Sequence, residues 1–411
     1  MRRVVVTGMG MVTPIGNTVE ENWAAVKAGK CGIAPITYYD TADRQVTLAG
    51  EVKDLDVELY MKKKEVRKMD GYTKFAMISA IQAFEDAGLS EIKEDRSRWG
   101  VCMASGIGGI STIETEQVRG MEKGFDRVSP HFIPMAISNM AAGNIAIRFG
   151  LHGSCTAVVT ACASAANAIG EAFRHIRDGY GDLMLAGGAE SSITPLSIGG
   201  FTSLQALSTA SEVSRASIPF DKERSGFVMG EGAGALILEE YEHAKARGAH
   251  IYGELVGYAT NCDAHHVTAP APNGEYSAVC MQLALADAGL QPEDIDYINA
   301  HGTSTHLNDM GETAAVKTVF GDHARKLAMS STKSMTGHLL GASAAVEAIY
   351  TVKAIQDDFL PATINYQVPD EDCDLDIVPN EGRNCVVRAA MSNSLGFGGH
   401  NASLVFKKFA E

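Results

Sequence analysis

The sequence predicts an α/β protein made of two similar βαβ-type halves, residues 1–250 and 251–411. Three observations predict it. Short apolar runs of strand length alternate with helical runs along the chain. An alanine-rich run is repeated: "ASAANAI" follows Cys162 and "ASAAVEAI" follows Gly341. Each half also carries a helix ending in "DAGL", at 86–89 and 287–290, with a strand after it. A chain of 411 residues exceeds what one ordinary core serves, which agrees with a duplicated fold.

The elements follow in order. Val4–Thr7 reads as a strand, and "GMGMVTPIG" after it as a glycine turn with a proline. Residues 73–89 form a helix ended by Gly88, and 99–109 a strand running into a glycine loop. Residues 110–150, with two prolines and many polar groups, read as an irregular excursion from the layers. Val158, Val159 and Thr160 read as the end of a buried strand, and small residues at helical density follow Cys162. Residues 182–190 and 232–240 are buried strands, 276–290 a helix, and 295–303 a strand leading into a loop. A glycine-rich loop within 393–406 precedes a C-terminal strand. The two alanine helices form a tightly packed central pair.

Composition narrows the function. Net charge is −15, which disfavours non-specific binding to nucleic acid or an anionic membrane. The opening "MRRVVVTGMG" has no apolar leader, and no run approaches the roughly 20 apolar residues of a membrane span. The eight cysteines show no CxxC pair, so they read as reduced and the protein as cytoplasmic. "GMGMVT" imitates a dinucleotide fingerprint, but Thr13 and Pro14 stand where the third glycine belongs, and "SGIGGIS" fails the spacing too. No cofactor is expected.

One thiol stands out. Cys162 sits at a strand-to-helix junction, where unpaired N–H groups favour a thiolate and can bind an oxyanion. A helix end supplies up to roughly 1 kcal/mol, about 0.7 of a pKa unit, so the dipole alone does not ionise the group. Partners are required. His301 lies just past a strand; Lys333 and His338 lie just ahead of the second alanine helix; Phe397 lies between glycines that allow close approach to a ligand.

"TACASA", "NAHGTST", "TKSMTGHLLGASAAVEA", "NSLGFGGHN" and the opening "VVVTGMGMVTPIG" together resemble the β-ketoacyl-acyl-carrier-protein synthases, specifically the elongating enzymes of type II fatty-acid synthesis. The resemblance covers essentially the whole chain. It implies a thiolase-like fold of five layers, αβαβα, and a homodimer. It implies acyl- and malonyl-loaded acyl carrier protein as partner. Cys162 would take the acyl chain, and His301 and His338 would stabilise the enolate left when malonyl loses carbon dioxide. Lys333 would support the histidines, and the N–H groups of Cys162 and Phe397 would form the oxyanion hole. Phe397 and Phe201 would gate the acyl chain, and Thr303 and Thr305 would lie along the pantetheine arm. Asn299 and Glu347 fall where some members hold a monovalent cation. Three positions depart from the pattern: His306 replaces a proline, His400 a threonine, and Gln205 an arginine that contacts the carrier.

The resemblance also bears on "MKKKEVRKMD". Lys62, Lys63, Lys64, Arg67 and Lys68 against Glu65 leave a net +4 in an acidic protein. Lys64, Arg67 and Lys68 share one face at helical spacing and match the family's carrier-docking positions. A polyketide ketosynthase would carry the same residues. A non-catalytic chain-length partner would lack the nucleophile.

Overall fold

The computed structural model describes all 411 residues. Ten strands form the main sheet: β1 (Val4–Val12), β2 (Trp99–Ala104), β3 (Cys155–Thr156), β4 (Leu183–Glu190), β5 (Gly232–Glu240), β6 (Gly253–Cys262), β7 (Tyr297–Asn299), β8 (Ala328–Ser330), β9 (Ala389–Gly396) and β10 (His400–Lys407). Their order is β8-β7-β9-β10-β6-β1-β5-β4-β2-β3. The first five strands run β1-β5-β4-β2-β3 and the last five β6-β10-β9-β7-β8, so the second block repeats the first with every number raised by five. Pair directions repeat too: β1/β5 and β6/β10 are antiparallel, and β2/β4 and β7/β9 are parallel. The blocks join where β1 meets β6 antiparallel, Val4 opposite Leu255.

Helices complete the layers: α1 (Gly71–Asp86), α2 (Ile110–Lys123), α3 (Phe132–Ala136), α4 (Met140–Phe149), α5 (Ser164–Arg177), α6 (Pro195–Ser203), α7 (Glu275–Ala288), α8 (His306–Phe320) and α9 (Ser343–Asp357). The alanine helices α5 and α9 pack on each other and against strands of both blocks. The helix α1 covers the outer face of the first block, and α7 that of the second. The stack therefore reads α1, first block, α5 with α9, second block, α7: five layers. Every residue of α9 from Ser343 to Val352 is buried, the mark of a helix enclosed on all sides. Alanine dominates there because two helices and two sheets must approach closely, and larger side chains would hold them apart.

Three sequence expectations change. The first strand runs to Val12, so "GMGMV" is strand and not turn. Its glycines are needed for contact with α1: a Cβ on Gly8 would stand 2.3 Å from Ala83 O, and one on Gly10 2.1 Å from Ser79 O. Residues 110–150 are largely helical, holding α2, α3 and α4. Their mixed polarity reflects amphipathic helices on the surface, and Pro134 sits in the first turn of α3, where its missing N–H costs nothing. Residues 158–160 are not a buried strand. The strand β3 stops at Thr156 with both residues exposed, and Val159 is exposed as well.

Candidate active site

Cys162 is reached through a tight turn. Ala163 N donates to Thr160 O at 3.1 Å and Ser164 N to Ala161 O at 3.1 Å. Ser164 Oγ accepts from Thr160 N at 2.8 Å and donates to Ala161 O at 2.6 Å. Ala161 has φ 51°, a left-handed conformation that costs roughly 1–3 kcal/mol in a non-glycine residue. The turn thus places Cys162 against the first turn of α5 at the price of local strain.

The glycine-rich hairpin between β9 and β10 faces it. The thiol lies beside the backbone N–H groups of Phe397 and of Cys162 itself. Only glycine fits at position 396, because a Cβ there would stand 3.2 Å from Cys162 N and 2.9 Å from Thr160 O. Burial pushes the Cys162 thiol up to about 12, against a downward pull from Lys333 and the two N–H groups. Desolvation outweighs them.

Two histidines converge on the sulfur. Cys162 Sγ, one ring nitrogen of His301 and one of His338 all lie within 4.8 Å of one another. The imidazole centroids are 5.3 Å apart and nearly perpendicular. His338 is fixed by its backbone, with N donating to Val228 O at 2.7 Å and O accepting from Gly230 N at 2.9 Å. Its Nδ1 pairs with Ser343 Oγ at 2.8 Å, leaving Nε2 buried without a partner. The His301 turn hangs on Glu312, whose carboxylate accepts His301 N at 2.8 Å and Gly302 N at 2.9 Å. Burial holds both histidines well below the usual imidazole range, the Lys333 charge adds to this, and His301 also feels His338.

Lys333 does not bond either ring. Its Nζ donates to His301 O at 2.7 Å and pairs with Glu347, both side chains being buried. The lysine therefore holds the His301 backbone and supplies a positive field. Glu347 Oε2 and Asn299 Oδ1 remain buried without partners. Each is a hard oxygen of the kind that ligates a monovalent cation.

A cavity of about 350 Å³ opens from these groups. Phe201, Thr303, Thr305 and Phe397 line it, with His306 and Gln205 also in the lining. Thr303 and Thr305 hydroxyls are 2.8 Å apart. The Phe397 ring lies 6.2 Å from Phe201, which lies 5.5 Å from Phe227, which in turn packs edge-on to His338 at 5.1 Å. His400 is outside the lining and pairs with Cys262 on the adjoining strand. Lys64, Arg67 and Lys68 are likewise outside it, exposed on a one-turn helix, Lys63–Val66, and its C-terminal continuation.

Sequence reasoning missed Glu312, Ser343 and Glu190. Glu190 is buried and accepts from Gly106 N at 2.8 Å and Gly341 N at 3.0 Å, tying the β2 loop to the turn before α9. Asking what accepts the N–H groups of the His301–Gly302 turn would have directed attention to Glu312, an acid inside the apolar "GETAAV".

Comparison with known proteins agrees with this geometry. Residues 1–244 match the β-ketoacyl synthase N-terminal domain, and residues 252–367 the C-terminal domain. A 3-oxoacyl-[acyl-carrier-protein] synthase 2 of Synechocystis is 51% identical over 409 residues, 99% of this chain and 98% of that one. The synthase 2 of Staphylococcus aureus strain COL is 50% identical over 408 residues, 99% of each. Among solved structures, a type II polyketide ketosynthase in complex with its acyl carrier protein superposes with a TM-score of 0.92 at 38% identity, each chain covered in full. A β-ketoacyl synthase from Burkholderia phymatum gives 0.92 at 37%, again with full coverage of both. With both family domains matched along the chain, full-length relatives at about half identity and the duplicated sheet in place, the chain belongs to the β-ketoacyl synthase family and is a condensing acyltransferase of fatty-acid elongation.

Proposed function

We propose that the chain joins an acyl group held on Cys162 to malonyl-acyl carrier protein, giving β-ketoacyl-acyl carrier protein and carbon dioxide. The observation that supports this most is the convergence of one thiol, two neutral imidazoles and two backbone N–H groups on one cavity. In the first half-reaction the Cys162 sulfur attacks the thioester of acyl carrier protein. The N–H groups of Cys162 and Phe397 hold the oxyanion, and the thiol proton leaves with the carrier's thiol. Donors placed in this way are worth roughly 3–4 kcal/mol each in comparable reactions.

In the second half-reaction malonyl carrier protein enters. His338 Nδ1 is paired with Ser343 Oγ, so its Nε2 faces the substrate. In the tautomer protonated on Nε2, with Ser343 donating to Nδ1, it donates to the enolate. His301 donates beside it. Both stabilise the enolate as carbon dioxide leaves, and the enolate carbon attacks the acyl-Cys162 carbonyl. A protonated imidazole is not needed, and burial beside Lys333 keeps both rings neutral. Thr303 and Thr305 position the pantetheine arm, Phe397 with Phe201 gates the acyl chain, and Asn299 with Glu347 holds a structural monovalent cation.

The same reading assigns residues 1–250 and 251–411 as the two halves, with 110–150 as a cap. Val118, Met121, Phe125, Ile133, Ile147 and Val159 expose apolar surface in and beside that cap, next to the exposed edge strand β3. This supports a homodimer formed there. No helix is long and apolar enough to cross a membrane, in keeping with a cytoplasmic enzyme. Peptide mass spectrometry after incubation with long-chain acyl carrier protein tests the core assignment. The acyl group should appear on Cys162 and on none of the other seven cysteines; acylation that persists in Cys162→Ala rejects it.

A further inference from the structure

We propose that Cys162, His301 and His338 form a binding site for a thiophilic divalent cation, best matched by Zn²⁺, and that the ion excludes substrate from the sulfur. One sulfur and two imidazole nitrogens already lie within 4.8 Å of one another. His338 Nε2 is buried with no partner, and in the tautomer that donates Nδ1–H to Ser343 Oγ its lone pair is free to ligate. One thiolate and two imidazoles with an open fourth position is a zinc ligand set, and soft sulfur disfavours Mg²⁺ or Ca²⁺. Zn–S near 2.3 Å and Zn–N near 2.0 Å in tetrahedral geometry need donor separations of about 3.3–3.6 Å. Rotation of the cysteine and imidazole side chains must close about 1 Å, and the cavity beside them leaves room for water as fourth ligand.

The surroundings fit this assignment. Ser343 Oγ on His338 Nδ1 is the outer-shell partner that orients a zinc-bound histidine. The charge that opposes the ion, Lys333, is paired with Glu347, and Glu190 acts on the thiol from nearby. The step balances without redox chemistry: a Zn–S bond forms, the S–H bond breaks, and the proton passes to solvent. A sulfur bound in this way cannot attack a thioester. That consequence rests on the proposed acyl role of Cys162, whereas binding itself does not.

The test titrates Zn²⁺ into the metal-free, full-length protein against a chromophoric chelator. One tight site per chain is expected. It should be lost in Cys162→Ala and weakened at least tenfold in His338→Ala. Ser343→Ala should weaken it roughly tenfold, since outer-shell partners are worth 10–100-fold in affinity. Co²⁺ should give a thiolate-to-metal band in the near ultraviolet that Cys162→Ala lacks. Iodoacetamide mapping uses only wild type: stoichiometric Zn²⁺ should protect Cys162 while exposed Cys155, Cys262 and Cys385 stay reactive. Unchanged zinc affinity in Cys162→Ala, or protection falling on the exposed cysteines, overturns the site. Protection of Cys162 with undiminished acyl loading overturns the exclusion, and the peptide that then carries the acyl group reports separately on the assignment of Cys162.

Discussion

Burial raises the Cys162 thiol and favours its protonated form, while the N–H groups beside it and Lys333 favour the thiolate. In the proposed mechanism its sulfur acts as nucleophile when an acyl thioester fills the cavity and the N–H groups of Cys162 and Phe397 hold the developing negative charge. In that mechanism the histidines serve the other half-reaction. His338→Ala should therefore lose condensation by far more than it loses self-acylation, because the enolate loses a donor while the thiol stays. Separate single-turnover assays check this, and near wild-type condensation would dismiss the paired-histidine reading. The same two rings carry a pH signature. Each takes up a proton in the unfolded chain below about 6.5, while burial denies it that proton in the folded state. Unfolded chains then bind more protons, so stability is complete above that pH and falls as pH drops below it. The loss should grow steadily from about pH 6.5 downward. His301→Gln/His338→Gln should lose correspondingly less between pH 7 and pH 5 in urea titrations; an equal loss would mean that other groups carry the acid sensitivity.

At the scale of elements, the site is an assembly of loop ends. The turn before α5 brings Cys162, the β7–α8 loop His301, the turn before α9 His338, and the β9–β10 hairpin Phe397. Gly396 sets the gap between hairpin and nucleophile. Gly396→Ala puts a Cβ 2.9 Å from Thr160 O, which forces the hairpin outward and moves the Phe397 N–H away. Acyl loading should fall roughly ten- to a hundredfold, since displacements near 1 Å have that effect in oriented sites. Thermal stability should fall less than loading does, because Gly396 is only half-buried; a cooperative loss of both would make Gly396 a folding residue. Glu312 plays the matching part for His301. Burial pushes its carboxyl up to about 7 while two backbone N–H groups pull the other way. Glu312→Gln turns an amide N–H toward one of those donors. It should lower condensation while Cys162 still acylates; equal loss of both half-reactions would count against a role through His301.

The whole molecule faces an electrostatic problem. Under the proposed function the partner is an acyl carrier protein, acidic in the family this chain resembles, and a net charge of −15 gives no general attraction for it, so association needs a local basic site. Lys64, Arg67 and Lys68 are exposed, and none forms an ion pair within the chain, whereas neighbouring Lys63 pairs with Glu58 at 3.1 Å. Changing all three to alanine should raise KM for acyl carrier protein severalfold. A small acyl thioester should be used almost as before. The difference should shrink with salt, since exposed charges are screened beyond roughly 8–10 Å at physiological ionic strength. If the triple variant uses carrier-bound substrate as well as wild type does at low salt, docking happens elsewhere.

Much of this was legible in the residues. The echo of "ASAANAI" and "ASAAVEAI" marks the two helices that prove central, because a helix enclosed on every side needs small residues on every side. Gly88 and Gly289 mark true helix ends, since both take the left-handed φ that stops α1 and α7. The motifs around Cys162, His301, Lys333, His338 and Phe397 are local, and so they can be read locally. What the tertiary structure alone decided are quantities that depend on groups distant in sequence. The thiol is raised and not lowered, because burial by both halves outweighs one helix end. Lys333 acts through His301 O and Glu347, because β8 lays it under a loop 32 residues away. Glu312 and Ser343 acquire roles only when folding brings unpaired N–H groups and a ring nitrogen to them. The glycines of "GMGMV" belong to a strand because α1 presses on it, a constraint that no short stretch of sequence contains.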